Sequence, residues 1–256
     1  MASLQSTAPG ARPAQSSAVA RYGFLLAVLS AAAALSSALG HRFGLWHYSV
    51  GFAILRWSAY AGMAAALISL VGAVLARPGG PRRGFVLALL GIIIGLAVPS
   101  GPILMLRKAR QVPPIHDITT DTTDPPRFVA VLPLRAGAED PSEYGGPEIA
   151  ALQRKAYPQV LPLLLDVPPD KALEEATRVA RDLGWEIVAS VPSEGRLEAT
   201  DTTVLWGFKD DVVVRVRPIP NGSRVDVRSV SRVGRSDLGV NAKRVESFLE
   251  RLAKAN

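Results

Sequence analysis

The sequence contains no cysteine, which excludes disulfides, thiolate catalysis and thiolate-held zinc or iron–sulfur sites. It has only three histidines, His41, His47 and His116. The first two share a short loop with no third ligand near them in sequence, so no metal is expected there. Acidic residues are missing from residues 1–107, where eight arginines carry +8; residues 108–256 hold the other 21 Lys and Arg and all 22 Asp and Glu, and carry −1. The basic excess therefore lies entirely in the apolar half. A polar half without excess positive charge has little to attract a phosphate backbone, and no nucleic-acid partner is expected. Gly207, Gly234 and Gly239 form neither a dinucleotide nor a phosphate loop, and no Gly-x-Ser-x-Gly elbow is present. No cofactor is implied.

What is present begins with a stretch rich in Ala, Ser, Pro and Gln, residues 1–21, which reads as disordered. Three apolar runs follow, at 22–39, 50–76 and 84–106. Each approaches or exceeds the roughly 20 residues that cross a hydrocarbon core, so 22–107 reads as three transmembrane helices with the lipid bilayer as first partner. The first run, with Arg21 before it and small residues at 36–38, also has features of a cleavable signal; its long leader and the two later runs favour a retained helix. Arg56 lies inside the second run, either snorkelling beside Trp57 and Tyr60 or marking a contact between spans. Arg12, Arg21, Arg77, Arg82 and Arg83 fall on one side of the membrane, and Arg42, Arg107, Lys108 and Arg110 on the other. The balance tilts the N-terminus inward and the C-terminal domain towards a periplasm.

Residues 108–165 read as a polar, proline-rich connector, and 166–256 as an α+β domain. Pro168, Pro169 and Asp170 announce a helix ending before Gly184, with Leu173, Ala176, Ala180 and Leu183 as its apolar stripe. Strands are expected at 185–191, around Leu197 and Ala199, at 204–208, at 212–218 and at 225–231. The last two flank Asn221 and Gly222, a two-residue hairpin signal. In that register Val212, Val214 and Val216 share the core face with Val225 and Val227. The other face pairs Asp211 with Arg232 and Arg217 with Asp226, but sets Arg215 against Arg228. That clash calls for a compensating carboxylate or a bound anion. A final helix starts near Ser236 or Asp237, with Leu238, Val245, Phe248 and Leu252 as its stripe and Asn241 on it. The fold class is α+β: a three-helix transmembrane region, then a two-layer antiparallel sheet domain with helices on one face.

Three blocks resemble the domain-of-unknown-function 1499 family. The first is Ile115, His116, Asp117, Ile118, Thr119, Thr120 and Asp121, with Asp124, Pro125 and Pro126. The second is residues 207–216, and the third is 228–244, which includes Ser229, Val230, Ser231, Arg232, Gly234, Ser236, Asp237 and Asn241. The blocks fall in order over 115–252 and imply a shared fold, with no assigned activity. Many members of that family carry a connector cysteine that this chain lacks, so any role of that thiol does not apply here.

Two readings of function follow. In the first, the chain is a membrane-tethered binding or assembly module of a bacterial cell envelope, without catalysis. Its contact surface is Arg215, Arg228, Arg232, Asp237, Asn241 and Arg244, reached by the segment from His116 to Asp121. Asp211, Ser229, Ser231 and Ser236 join the candidate set. The partner would be another envelope protein or an anionic ligand. In the second, His116, Asp117 and Asp121 act with Ser231 or Asp237 in a hydrolase or metal-dependent enzyme.

Overall fold

A computed structural model describes residues 15–255. The expectation for residues 1–14 lies outside the described residues. Gln15–Ser16 (β1) pairs in parallel with Arg82–Arg83 (β2), and Ser17 caps the first helix, so 15–21 are ordered. The chain divides into two compact units, Met1–Leu104 and Met105–Asn256.

Three helices are long and apolar enough to cross a membrane: α1 (Ala18–Arg42) and α2 (Tyr48–Leu75) in the first unit, and α3 (Phe85–Ala109), whose last residues, from Met105, belong to the second. The packing of the first unit is inverted relative to a water-soluble protein. Every buried residue of α1 and α2 is Ala, Gly or Ser, while Leu29, Leu67, Val74, Ile93 and Leu96 point outward. That distribution suits lipid as solvent, where large apolar side chains gain nothing from burial and small ones let helices approach. Arg56 is exposed on α2 beside Trp57 and Tyr60.

α2 and α3 approach each other backbone to backbone at Gly62 and Gly95. A Cβ on Gly62 would lie 2.8 Å from the Gly95 carbonyl oxygen, and one on Gly95 would lie 2.6 Å from that of Gly62. The hydrogens take those places, as in Cα–H···O contacts. Pro99 lies one turn beyond Gly95 and has no amide to donate to that carbonyl. Gly95→Val should therefore separate α2 from α3. The expected cost is about 1–3 kcal/mol, read as earlier thermal loss of the monodisperse peak of detergent-solubilised protein. An unchanged profile would show that this approach is not needed.

In the second unit, β5 (Glu186–Val191), β6 (Arg196–Thr202), β7 (Lys209–Ile219) and β8 (Gly222–Ser231) form an antiparallel meander. Beyond β8 lie β3 (Asp117–Thr119) and β4 (Leu163–Leu165), each pairing with a different half of it. Residues 108–165 thus supply two strands, the helix α4 (Gly146–Ala156) and part of the core, and do more than connect. One face is covered by α5 (Pro169–Asp182) and α6 (Val240–Ala255). Leu173, Ala176, Val245, Phe248 and Leu252 pack there on Val212, Val214, Val216, Val225 and Val227. Trp185 stacks on Phe248 at 5.1 Å.

Three local expectations are corrected. Residues 204–208 are a turn between β6 and β7: the Thr203 amide donates to the Phe208 carbonyl (2.8 Å), the Phe208 amide donates to the Thr203 hydroxyl (2.9 Å), and Gly207 takes φ +72°. Leu238, expected on the stripe of the last helix, instead precedes α6 in a left-handed conformation, φ +56°, while Asp237, one of the two expected caps, accepts from the amides of Gly239 and Asn241. The hairpin turns at Pro220 and Asn221, with Ile219 opposite Gly222. Proline presets φ at the first turn position. Gly222, at φ +143°, sits where a side chain would strike the Leu165 carbonyl. The register moves by two residues, so each side chain keeps its face while every partner changes. Arg215 now faces Asp226, Val213 faces Arg228, and the expected Arg215/Arg228 clash does not arise.

Candidate functional site

The second sheet face is not open. A strap from about residue 120 to 144 lies over it, and Phe128 and Val131 pack on Val213 and Val230. The polar side chains beneath have lost water and must find each other.

Asp211 is fully buried, opposite Val230. It accepts from Arg135 Nη1 (2.7 Å), from Arg232 Nε and Nη2 (2.9 and 2.8 Å) and from the Thr200 hydroxyl (2.7 Å). Burial by itself would raise this carboxyl, but the donors from Arg232, Thr200 and Arg135 outweigh it and hold it below the ordinary 3.8. Arg228, 2% exposed, forms a two-pronged pair with Asp117 (2.9 and 2.7 Å). It also donates to the carbonyls of Pro126 and Ser142 and lies over the rings of Phe128 and Tyr144. A third cluster alternates charges: Arg215, Arg217 and Arg224 around Asp121, Asp124 and buried Asp226. Burial pushes Asp121 up, yet backbone amides of Asp124 and Thr123 and the nearby Arg224 and Arg215 bring it below 3.8.

Two residues that sequence reasoning missed anchor the strap and the edge strand. Glu198, fully buried, accepts from the amides of Val129, Ala130 and Val131 at 2.9–3.1 Å, where a short 3-10 turn, Leu132–Arg135, begins. Gln153 of α4 binds both backbone groups of Thr119 (3.0 and 2.6 Å), as a neighbouring strand would. Neither carries a local signal, since a charged residue alternating with Leu197 and Ala199 reads as solvent-facing.

The remaining candidates lie on the helix-covered side. Asn241 accepts from the Ser229 hydroxyl (2.6 Å) and Arg244 Nη1 (2.5 Å), and donates to Ser231 Oγ (3.0 Å) and the His116 carbonyl (2.8 Å). Arg244 also donates to Asp201 (2.8 Å) and Asp210 (2.6 Å). Ser236 Oγ accepts from the Leu238 amide. The expected contact surface is thus divided: Arg215, Arg228 and Arg232 lie under the strap, while Asp237, Asn241 and Arg244 tie α6 to β8. His116 Nε2 lies 3.8 Å from Asp140 Oδ1, and Nδ1 has no hydrogen-bond partner among the described residues. Burial raises Asp140, against the pull of His116 and Arg135. Among the described residues no three His, Asp or Glu side chains converge to hold a metal.

A cleft of about 450 Å³ reaches the buried pair of Arg228 and Asp117; it is lined by Pro125, Arg127, Phe128, Leu132, Ser142, Glu143, Tyr144 and Arg228. The Tyr144 hydroxyl is buried and has no partner among the described residues. Burial, with Asp117 nearby, pushes its pKa up to about 12, so it stays a neutral donor at physiological pH.

The model of a family of unknown function, DUF1499, matches residues 117–252. The chain belongs to the DUF1499 family. The match takes in β3, the strap, the whole meander and most of α6, while the three apolar helices lie outside it. No functionally curated protein matches the chain. DUF1499 membership carries no assigned activity.

The lowered carboxyls tie stability to pH. Because the folded values of Asp211 and Asp121 lie below the unfolded ones, their stabilisation is complete above the ordinary carboxylate range and is lost as pH falls through the folded values. Asp211→Asn should cost about 3–5 kcal/mol at pH 7 by leaving Arg135 and Arg232 uncompensated. It should also flatten the acid side of a plot of denaturation midpoint against pH for the full chain in detergent. Parallel acid limbs in wild type and variant would exclude Asp211 as a titrating contributor.

Proposed function

We propose that the chain is a membrane-anchored binding module of the bacterial cell envelope, with its DUF1499 domain on the periplasmic side of the plasma membrane, and that it takes a small organic anion. The observation that carries this reading is the cleft over Arg228. It has a buried hydroxyl with no acceptor, a cationic Arg127 with no ion-pair partner among the described residues, an exposed carboxylate, Glu143, and an apolar wall of Pro125, Phe128 and Leu132. Its volume of about 450 Å³ falls in the range of small-molecule sites. The base is rigid, since Asp117 and two carbonyls already hold the Arg228 guanidinium. A ligand carboxylate or phosphate would take the Tyr144 hydroxyl and Arg127, with its carbon skeleton on the wall. The charge distribution of the apolar half supports the orientation, which reporter fusions at the C-terminus test.

A hydrolase built on His116 has less in its favour. Asp117 is committed to Arg228, and the Ser229 and Ser231 hydroxyls are committed to Asn241.

The reading also selects the variants. Arg228→Ala strands Asp117 in the interior and is expected to unfold the domain, so it does not test binding. Tyr144→Phe and Arg127→Gln leave the buried pairs intact. In a thermal-shift screen of small carboxylates and phosphate esters with full-length protein, a ligand at 100 times its dissociation constant stabilises by about 2.7 kcal/mol. Compounds that raise Tm in wild type should lose most of that gain in Tyr144→Phe/Arg127→Gln. A panel with no such compound, or equal gains in the variant, would remove the support for this site.

A further inference from the structure

A second cleft, of about 260 Å³, opens beside the start of α6 within the Met105–Asn256 unit. Arg244 forms part of its wall with Nε and Nη2 already held by Asp201 and Asp210, and buried Trp185 stands beside it. At its edges are Lys108 and Lys243, both exposed and neither with an ion-pair partner among the described residues. Arg244 is compensated by Asp201 and Asp210, so the unpaired positive charge at the cleft is that of Lys108 and Lys243, and Ser247 adds a hydroxyl. The first amides of α6 are not the binding element, because Asp237 accepts from those of Gly239 and Asn241.

The position of Lys108 in the chain narrows the ligand. The apolar run of the third span ends at Leu106, so Lys108 is at most about 7 Å along the chain from the end of that run. Lipid phosphates are concentrated at that depth, and a tethered site meets them at high effective concentration. Lysine ammoniums bind phosphate as point charges without demanding one planar geometry. The geometry points to a binding site for the phosphate of an anionic phospholipid headgroup, held between Lys108 and Lys243. This site is separate from the cleft over Arg228 and does not depend on the ligand proposed there.

The test uses full-length protein reconstituted with equal phosphatidylglycerol and phosphatidylcholine, with lipid retained after detergent exchange counted by native mass spectrometry. Wild type should retain phosphatidylglycerol over phosphatidylcholine, and Lys108→Gln/Lys243→Gln should lower that retention roughly 30-fold. Neither lysine has an ion-pair partner among the described residues, so the variant should keep the wild-type melting profile. Arg107→Gln/Arg110→Gln removes equal charge and should leave retention nearly unchanged. Equal retention in wild type and the lysine variant would overturn the site, and an equal loss in the arginine variant would reduce it to general surface charge. Millimolar inorganic phosphate is the third arm. If it shields both lysines from acetylation in lipid-free micelles while phosphatidylglycerol does not, the ligand is a soluble phosphate and the lipid assignment fails.

Discussion

The polar half is organised by the loss of water from the second face of its sheet. Once the strap covers that face, Asp211, Asp226, Arg228 and Glu198 lie in a medium where an unpaired charge costs several kcal/mol. Each is therefore matched, and the matches come from distant parts of the chain. Asp117 lies 111 residues before Arg228 and Arg135 lies 76 before Asp211, and Glu198 reaches back to the amides of the strap. These pairs do not by themselves add much net stability, because desolvation offsets most of their attraction. They do specify where the strap lies, since any other placement would strand a charge. The Tyr144 hydroxyl, at the cleft over Arg228, is one of the buried polar groups left without a partner among the described residues.

The apolar half obeys the opposite rule under the same physics. In lipid, large side chains have no reason to hide, so they point out, and the helices meet through Ala, Gly and Ser. Backbone approach at Gly62 and Gly95 takes over the role that side-chain interlocking has in the polar half. The Gly95 carbonyl, without the amide that Pro99 cannot supply, is covered by the neighbouring helix instead.

The register of the last hairpin shows how local rules compete. Asn221 and Gly222 are the strongest short-range turn signal in the domain, yet the chain turns one residue earlier, at Pro220. The fixed φ of proline suits the first turn position, and the shift places Asp226 opposite Arg215. Face assignment survived, because a two-residue slip preserves alternation; partner assignment did not. Residues 204–208 show a similar limit. Their apolar content resembles a strand, but Gly207 closes them into a turn. The candidate residues from the family-like blocks were legible one at a time, because Asp, Arg, Ser and Asn on short strands must find hydrogen bonds. Their division between two sides of one sheet was not legible, and neither were Glu198 and Gln153, whose partners lie 67–69 and 34 residues away.

Sequence alone determined what depends on composition and short periods: three lipid-compatible spans, a neutral polar half, two amphipathic helices and an alternating antiparallel meander. Burial of an apolar stripe is a local demand and is written locally. Tertiary structure decided that the second face of the sheet is covered, which carboxylate meets which guanidinium, and where a hydroxyl is left without a partner. Those outcomes rest on contacts between segments far apart in the chain, where the cost of an unpaired buried charge, and not any local preference, selects the arrangement.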